Sequence, residues 1–182
     1  MPWLGAAAAI AAIASLGLWM TRAQGLAGAA SQPSGPFAEL ARFDPPKYVA
    51  PAFTGPEDDA RRAFEAAMTH YVKGNYRGAI GGLRRAIDLD PASSHARLFL
   101  GVSLLLTGDA AGGVTELEGL LAVGPAPYVE ESYFYLAKGL LRTGNVTKTR
   151  QALEMLLAFG GKYQAQAKKL LSRLDRLQSH SR

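Results

Sequence analysis

Three stretches of this chain open on a glycine and recur at nearly equal intervals, and that spacing constrains the fold more than any other feature. They read "KGNYRGAIGGLRRAIDLDP" from Lys73, "TGDAAGGVTELEGLLAVGP" thirty-four residues later from Thr107, and "TGNVTKTRQALEMLLAFGG" thirty-six further on from Thr143. In each, glycine is followed by Asn or Asp (Gly74-Asn75, Gly108-Asp109, Gly144-Asn145). Glycine tolerates the left-handed conformation that ends a helix, and Asn or Asp caps the start of the next. Upstream lie "ARRAFEAAMTHYVKG", "SHARLFLGVSLLLTG" and "EESYFYLAKGLLRTG", in which a small residue (Ala67, Gly101, Ala137) precedes the turn glycine by seven. A small residue there lets two helix backbones approach closely. The pattern predicts three helix-turn-helix units.

A period near thirty-four, two helices per unit, a small residue in the first helix and a proline closing the second resemble the tetratricopeptide repeat. The resemblance covers Glu57 to Gly161, with Ala79, Ala86 and Pro91 in the first unit matched by Gly113, Leu117 and Pro125 in the second. In the third unit Thr149 stands where the small residue is expected and Gly161 where the proline is. The competing reading is a helical bundle with accidental spacing. The resemblance implies an all-α, right-handed α-solenoid of three two-helix repeats, followed by "KYQAQAKKLLSRLDRL" as a capping helix that buries Ala165, Leu170, Leu174 and Leu177.

Such solenoids line a concave groove with one face of each first helix. Carried onto this chain, the groove is expected to hold Phe64, Met68, Tyr71 and Val72 in the first unit. The second supplies His95, Leu98, Val102, Leu105 and Leu106, and the third Glu131, Phe134, Lys138, Leu141 and Arg142. Family members that grip a chaperone's C-terminal carboxylates need polar and basic groove residues; Phe64, Met68, Leu98 and Val102 disfavour that use. "LFLGVSLLL", Leu98 to Leu106, is apolar nearly all round, so something must cover it on every side.

The cover has two candidates: a partner segment, or the chain's own linker. From Ala23 to Pro56 the sequence is rich in Gly, Ser and proline and shows no helical period, yet Phe37, Phe43, Tyr48, Val49 and Phe53 stud it. Spacers that stay disordered are poor in aromatics, so part of this one is expected to pack. Ahead of it, Trp3 to Met20 is eighteen uncharged residues, long enough at about 27 Å to span a membrane as a helix, with Trp3 and Trp19 near its ends. An anchor is expected, and a cleaved export signal ending at Ala27-Gly28-Ala29 is the alternative.

The net charge of +5 hides an asymmetry: Lys138 to Arg182 holds ten Lys/Arg and two acids, whereas Asp109 to Glu131 holds five acids and no base. No aromatic-basic interleaving accompanies the basic residues, so solvated helix faces are expected rather than nucleic-acid binding. With no cysteine, disulfides, thiolate metal sites and a thiol nucleophile are excluded. His70, His95 and His180 lack metal-ligand spacing, and His70 is expected to be a packing residue. Gly139 to Gly144 imitates a phosphate loop but is followed by Asn145-Val146 instead of Lys and Ser or Thr. The acids Asp58-Asp59 and Glu130-Glu131 fall at helix starts, where the helix dipole favours them.

These readings predict a membrane-anchored or signal segment over 1–22, a linker over 23–56, repeats over 57–161, and a capping helix with a basic tail over 162–182. The expected function is a non-catalytic scaffold for a protein or peptide, with no cofactor, metal, nucleic acid or small-molecule substrate, on a repeat domain facing out of the cytoplasm. The chain also resembles repeat modules that follow a single span in bacterial membrane proteins, some carrying a zinc-binding anti-sigma domain. An accessory domain of a cell-envelope enzyme or regulatory system is therefore the rival.

Overall fold

The computed structural model describes residues 37–51, 58–124 and 127–179. The chain divides into two units, 1–30 and 31–182, and every described residue belongs to the second. The apolar stretch Trp3 to Met20, the linker portions 23–36 and 52–56, Pro125 and His180 lie outside the described residues. Among the described residues no helix is long and apolar enough to cross a membrane.

Seven helices follow in order among the described residues: α1 (Asp59–Tyr71), α2 (Tyr76–Leu89), α3 (Ser94–Thr107), α4 (Ala110–Ala122), α5 (Val129–Arg142), α6 (Val146–Phe159) and α7 (Gln164–Ser179). Each packs chiefly on the helices before and after it, and α3 also touches α5. This nearest-neighbour stacking is the logic of a helical-repeat array.

The three repeated turns have one geometry. Gly74, Gly108 and Gly144 take φ of 73°, 95° and 74°. The following residue closes the old helix with its N–H and opens the new one with its side chain. Asn75, Asp109 and Asn145 donate backbone N–H to the carbonyls of His70, Leu104 and Leu140 at 3.0, 2.9 and 2.8 Å. Their side-chain oxygens accept from the N–H of Gly78, Gly112 and Lys148 at 2.9, 2.8 and 3.0 Å. One dipeptide thus satisfies groups that both helix ends would leave open.

Close crossings join the paired helices. A Cβ on Gly82 of α2 would lie 2.8 Å from the Cβ of Ala67. One on Gly101 of α3 would lie 2.8 Å from Leu117 Cγ and 3.2 Å from the Gly113 carbonyl of α4. Ala79 and Thr149 are fully buried in α2 and α6, and the Thr149 hydroxyl donates to the Asn145 carbonyl at 2.8 Å. Threonine substitutes for a small residue there because its hydroxyl is satisfied within its own helix.

Two expectations need correction. His70 is exposed at the end of α1, its Nδ1 3.3 Å from Asn75 Nδ2, instead of packed. Along α7 the buried stripe is Ala167, Leu170 and Leu174, whereas Ala165 faces solvent. The basic residues of the C-terminal end lie on solvated faces, where two of them pair with the acidic middle. Lys148 meets Glu118 at 2.9 Å, Lys162 meets Glu131, and Glu130 accepts from the Tyr163 N–H at 2.9 Å. Glu130 and Glu131 therefore tie α5 to the α6–α7 turn as well as facing the helix dipole. Exposed pairs of this kind contribute little individually, about 0–1 kcal/mol.

Two glycine substitutions should move stability in opposite directions. Gly101→Leu forces a side chain into the α3–α4 crossing and is expected to cost at least about 1–3 kcal/mol. Gly81→Ala adds a methyl where nothing lies within 4 Å and is expected to stabilise by about 0.5–1 kcal/mol. Thermal melts of the two variants against the parent check both signs.

Candidate functional site

The first helices of the three pairs, α1, α3 and α5, carry two aromatic clusters, completed by Tyr76 of α2, Tyr128 just ahead of α5 and Tyr163 of the α6–α7 turn. Tyr71 meets Phe99 and Tyr76 edge-on at 4.9 and 5.2 Å, Phe64 lies 6.2 Å from Phe99, and His95 packs against Phe64 and Tyr128 at 6.1 and 5.1 Å. Phe134 stacks on Tyr163 at 4.4 Å with the planes 16° apart. So large an apolar face cannot stand in water alone.

Residues 37–51 lie on it. Residues 37–41 form one turn, with the Ala41 N–H donating to the Phe37 carbonyl at 3.0 Å. The chain then runs without helix or strand to Pro51. Residues preceding prolines (Asp44, Pro45, Ala50) are biased toward extended conformations, so the stretch resists becoming helical. Lys138 Nζ donates to the Leu40 carbonyl at 2.6 Å, the Tyr135 hydroxyl to the Asp44 carbonyl at 3.2 Å, and the Tyr71 hydroxyl to the Pro46 carbonyl at 3.2 Å. Phe43 stands edge-on to Tyr135 at 5.4 Å with the Arg142 guanidinium 4.6 Å from its ring centre. Tyr48 meets Phe64 and Phe99 edge-on at 6.0 and 5.6 Å. The segment therefore crosses from the third unit to the first, against the order of the repeats.

Burial sets the electrostatics of this contact. Lys138 is 6% exposed, and burial, then the charges of Arg142 and Arg173, push its ammonium down to about 8. Burial raises the Tyr71 phenol well above its ordinary value, helped by Tyr76, and raises Tyr135 likewise, helped by Tyr163. Burial lowers the His95 imidazole and the Arg142 guanidinium.

The fourteen residues expected in the groove are placed unequally. Phe64, Tyr71, Lys138 and Arg142 touch the segment, His95 belongs to the Phe64 cluster and Phe134 to the Tyr135–Tyr163 cluster. Met68, Leu98, Val102 and Leu105 are sealed in the core at 2% exposure or less. Leu105 wedges between helices, its side chain at the positions where Gly113 and Gly139 would carry a Cβ. Of the rest, Val72 is 61% exposed just past α1, Leu141 is core, Leu106 is partly buried and Glu131 pairs with Lys162. Phe99 and Tyr135, which follow Leu98 and Phe134 and were not among the expected residues, also meet the segment, beside Lys138 and Arg142. A signal existed, since these two aromatics recur thirty-six apart at equivalent positions.

Among the described residues no group of His, Asp and Glu could hold a metal ion. No protein-family model matches the chain, and no curated protein matches it. Solved structures do. The Yersinia enterocolitica type III secretion chaperone SycD, in complex with a peptide of the translocator YopD, is similar with a TM-score of 0.58 at 16% identity, over 70% of this chain and 98% of that one. SycD in an alternative dimer is similar with a TM-score of 0.55 at 18% identity, over 69% and 96%. The fold is tetratricopeptide-like. At such identity the likeness speaks for the helical-repeat fold and leaves activity to the residues themselves.

The pH dependence of stability follows from the buried groups. Between about 8 and 10.5 the folded chain holds fewer protons on Lys138 than the unfolded chain, whose lysine keeps its ordinary value, so stability should rise with pH across that window. Tyr71 and Tyr135 act oppositely. Their pKa values are raised on folding from 10.0, so stability falls as pH climbs beyond 10 and the unfolded phenols ionise. Melting temperatures should climb from pH 8 to a maximum near 10 and then drop, and Lys138→Met should abolish the climb while leaving the drop.

Proposed function

We propose that this protein is a non-catalytic scaffold that binds an extended segment of a protein partner along the face of α1, α3 and α5. The single observation that carries this is the path of residues 37–51, which lie along that face and are held by side-chain donors reaching main-chain carbonyls. A face that orders a non-helical peptide through its backbone has what one mode of peptide recognition requires: backbone bonds for affinity, pockets for alternate side chains for specificity. SycD, of similar fold, is crystallised with a peptide of the translocator YopD, which supports a peptide as the ligand class.

In this reading the stacked pairs wind as a right-handed superhelix, and the face is its concave groove. The apolar stretch from Trp3 to Met20 tethers the domain to a bacterial membrane, on the extracytoplasmic side, and the linker ahead of the docked residues 37–51 gives the tether its reach. The tether follows from length and composition alone.

Two experiments test these parts separately. Removing residues 1–30 should leave a helical, monomeric protein that no longer sediments with membranes, whereas the whole chain does; continued sedimentation of the shortened form would count against the tether. For the scaffold, a random peptide library is panned on the chain carrying Phe43→Ala and Tyr48→Ala, which loosens the resident segment. Enriched peptides should bind this variant and lose binding when Tyr71→Ala, Tyr135→Ala and Lys138→Ala are added. Absence of enrichment, or indifference to the added substitutions, would remove the scaffold reading.

A further inference from the structure

The contacts between residues 37–51 and the helices are selective in kind. Every hydrogen bond shown between them runs one way: Lys138, Tyr135 and Tyr71 donate, and the carbonyls of Leu40, Asp44 and Pro46 accept. Pro45 and Pro46 have no backbone N–H, so this part of the segment brings fewer donors that would need partners on burial. A face that presents donors is matched by a segment that presents acceptors.

Leu40 and Ala41 are buried in the helical core, and beyond them aromatic side chains are held at two points. Phe43 is held between the Tyr135 ring and the Arg142 guanidinium, and Tyr48 between Phe64 and Phe99. Between and beside them Arg42, Asp44, Lys47 and Val49 are exposed, so their identities are unconstrained by the face. Arg142 is itself fixed, because its guanidinium also donates to the Leu105 carbonyl. That bond sets the aromatic slot independently of whatever fills it.

Resting on the peptide-scaffold reading above, we infer that the face selects an extended segment bearing two aromatic side chains five positions apart with proline between them. Residues 37–51 are a tethered copy of that ligand, and a partner segment of the same chemistry has to displace it. Tethering makes the copy a strong competitor, since a short connection in sequence gives an effective concentration on the order of millimolar. Its prolines also lower the entropy lost on docking. The partner is thereby specified by chemistry: an aromatic-rich, proline-containing stretch, read through its carbonyls and indifferent to charge at its outward positions.

The test uses the full chain and a fluorescent peptide with the sequence of residues 37–51, read by anisotropy. The Phe43→Ala/Tyr48→Ala chain should bind the peptide at least about tenfold more tightly than the parent, in which the tethered copy competes. A peptide in which the tyrosine is moved two positions toward the phenylalanine should bind the variant at least about tenfold more weakly than the native-spaced peptide. Equal binding of the shifted peptide overturns the spacing and leaves the scaffold reading standing. Equal binding by parent and variant overturns the tethered-copy assignment. If neither peptide binds the variant, the segment is a structural strap and the scaffold reading falls too. Should the double variant fail to fold, hydrogen exchange of the parent chain decides: excess native-spaced peptide should deprotect the amides of Leu40 to Asp44, and unchanged protection at saturating peptide overturns the inference.

Discussion

The structure depends on how closely paired helix backbones approach at their crossings. At Gly101 the approach leaves no room for a Cβ, since Leu117 and the Gly113 carbonyl already occupy that space. Ala67 against Gly82 does the same one unit earlier. Tight pairs fix where the next pair begins, because each second helix is followed directly by the first helix of the next unit and packs against it. Only with α1, α3 and α5 held side by side do Phe64, Phe99 and Tyr135 belong to one surface.

That surface is too apolar to face water, and the chain covers part of it with its own residues 37–51. Ring burial drives the contact, and the backbone carbonyls set its position. Lys138 is the revealing member. A buried ammonium is costly unless partnered, and its lowered pKa shows the cost, yet the residue reaches the Leu40 carbonyl at 2.6 Å. An apolar residue would pack there with less penalty and would leave the carbonyl without its donor. The Lys138 donor thereby holds the Leu40 carbonyl, and with it the segment, in a defined position.

Much of this was legible in the sequence because it is local. Gly74-Asn75, Gly108-Asp109 and Gly144-Asn145 announce their turns through conformational preference and capping, which act within a few residues. The small residues seven positions before each turn glycine announce the crossings for the same reason. The aromatics of the linker signalled packing, since a purely solvated spacer has little use for them. Of the residues expected in the groove, Phe64, Tyr71, Lys138 and Arg142 lie against residues 37–51, and Phe99 and Tyr135, outside that set, do so as well. Leu105 was drawn in by its apolar character, although it fills a helix crossing.

What the sequence by itself determined is the inventory: seven helical segments, three of their turns, the small residues at the crossings and an aromatic linker with reason to pack. What only the tertiary structure decided is the facing. In a helix, adjacent residues point about 100° apart, so the one-position difference between Leu98 and Phe99 separates core from contact surface. That difference is set by the rotation of one pair against the next. The path of residues 37–51 is likewise a long-range outcome, fixed by bonds from Tyr135 and Lys138 that span 91 and 98 positions of sequence. No local preference encodes such bonds, because they form only once the stacked helices have made the face that receives them.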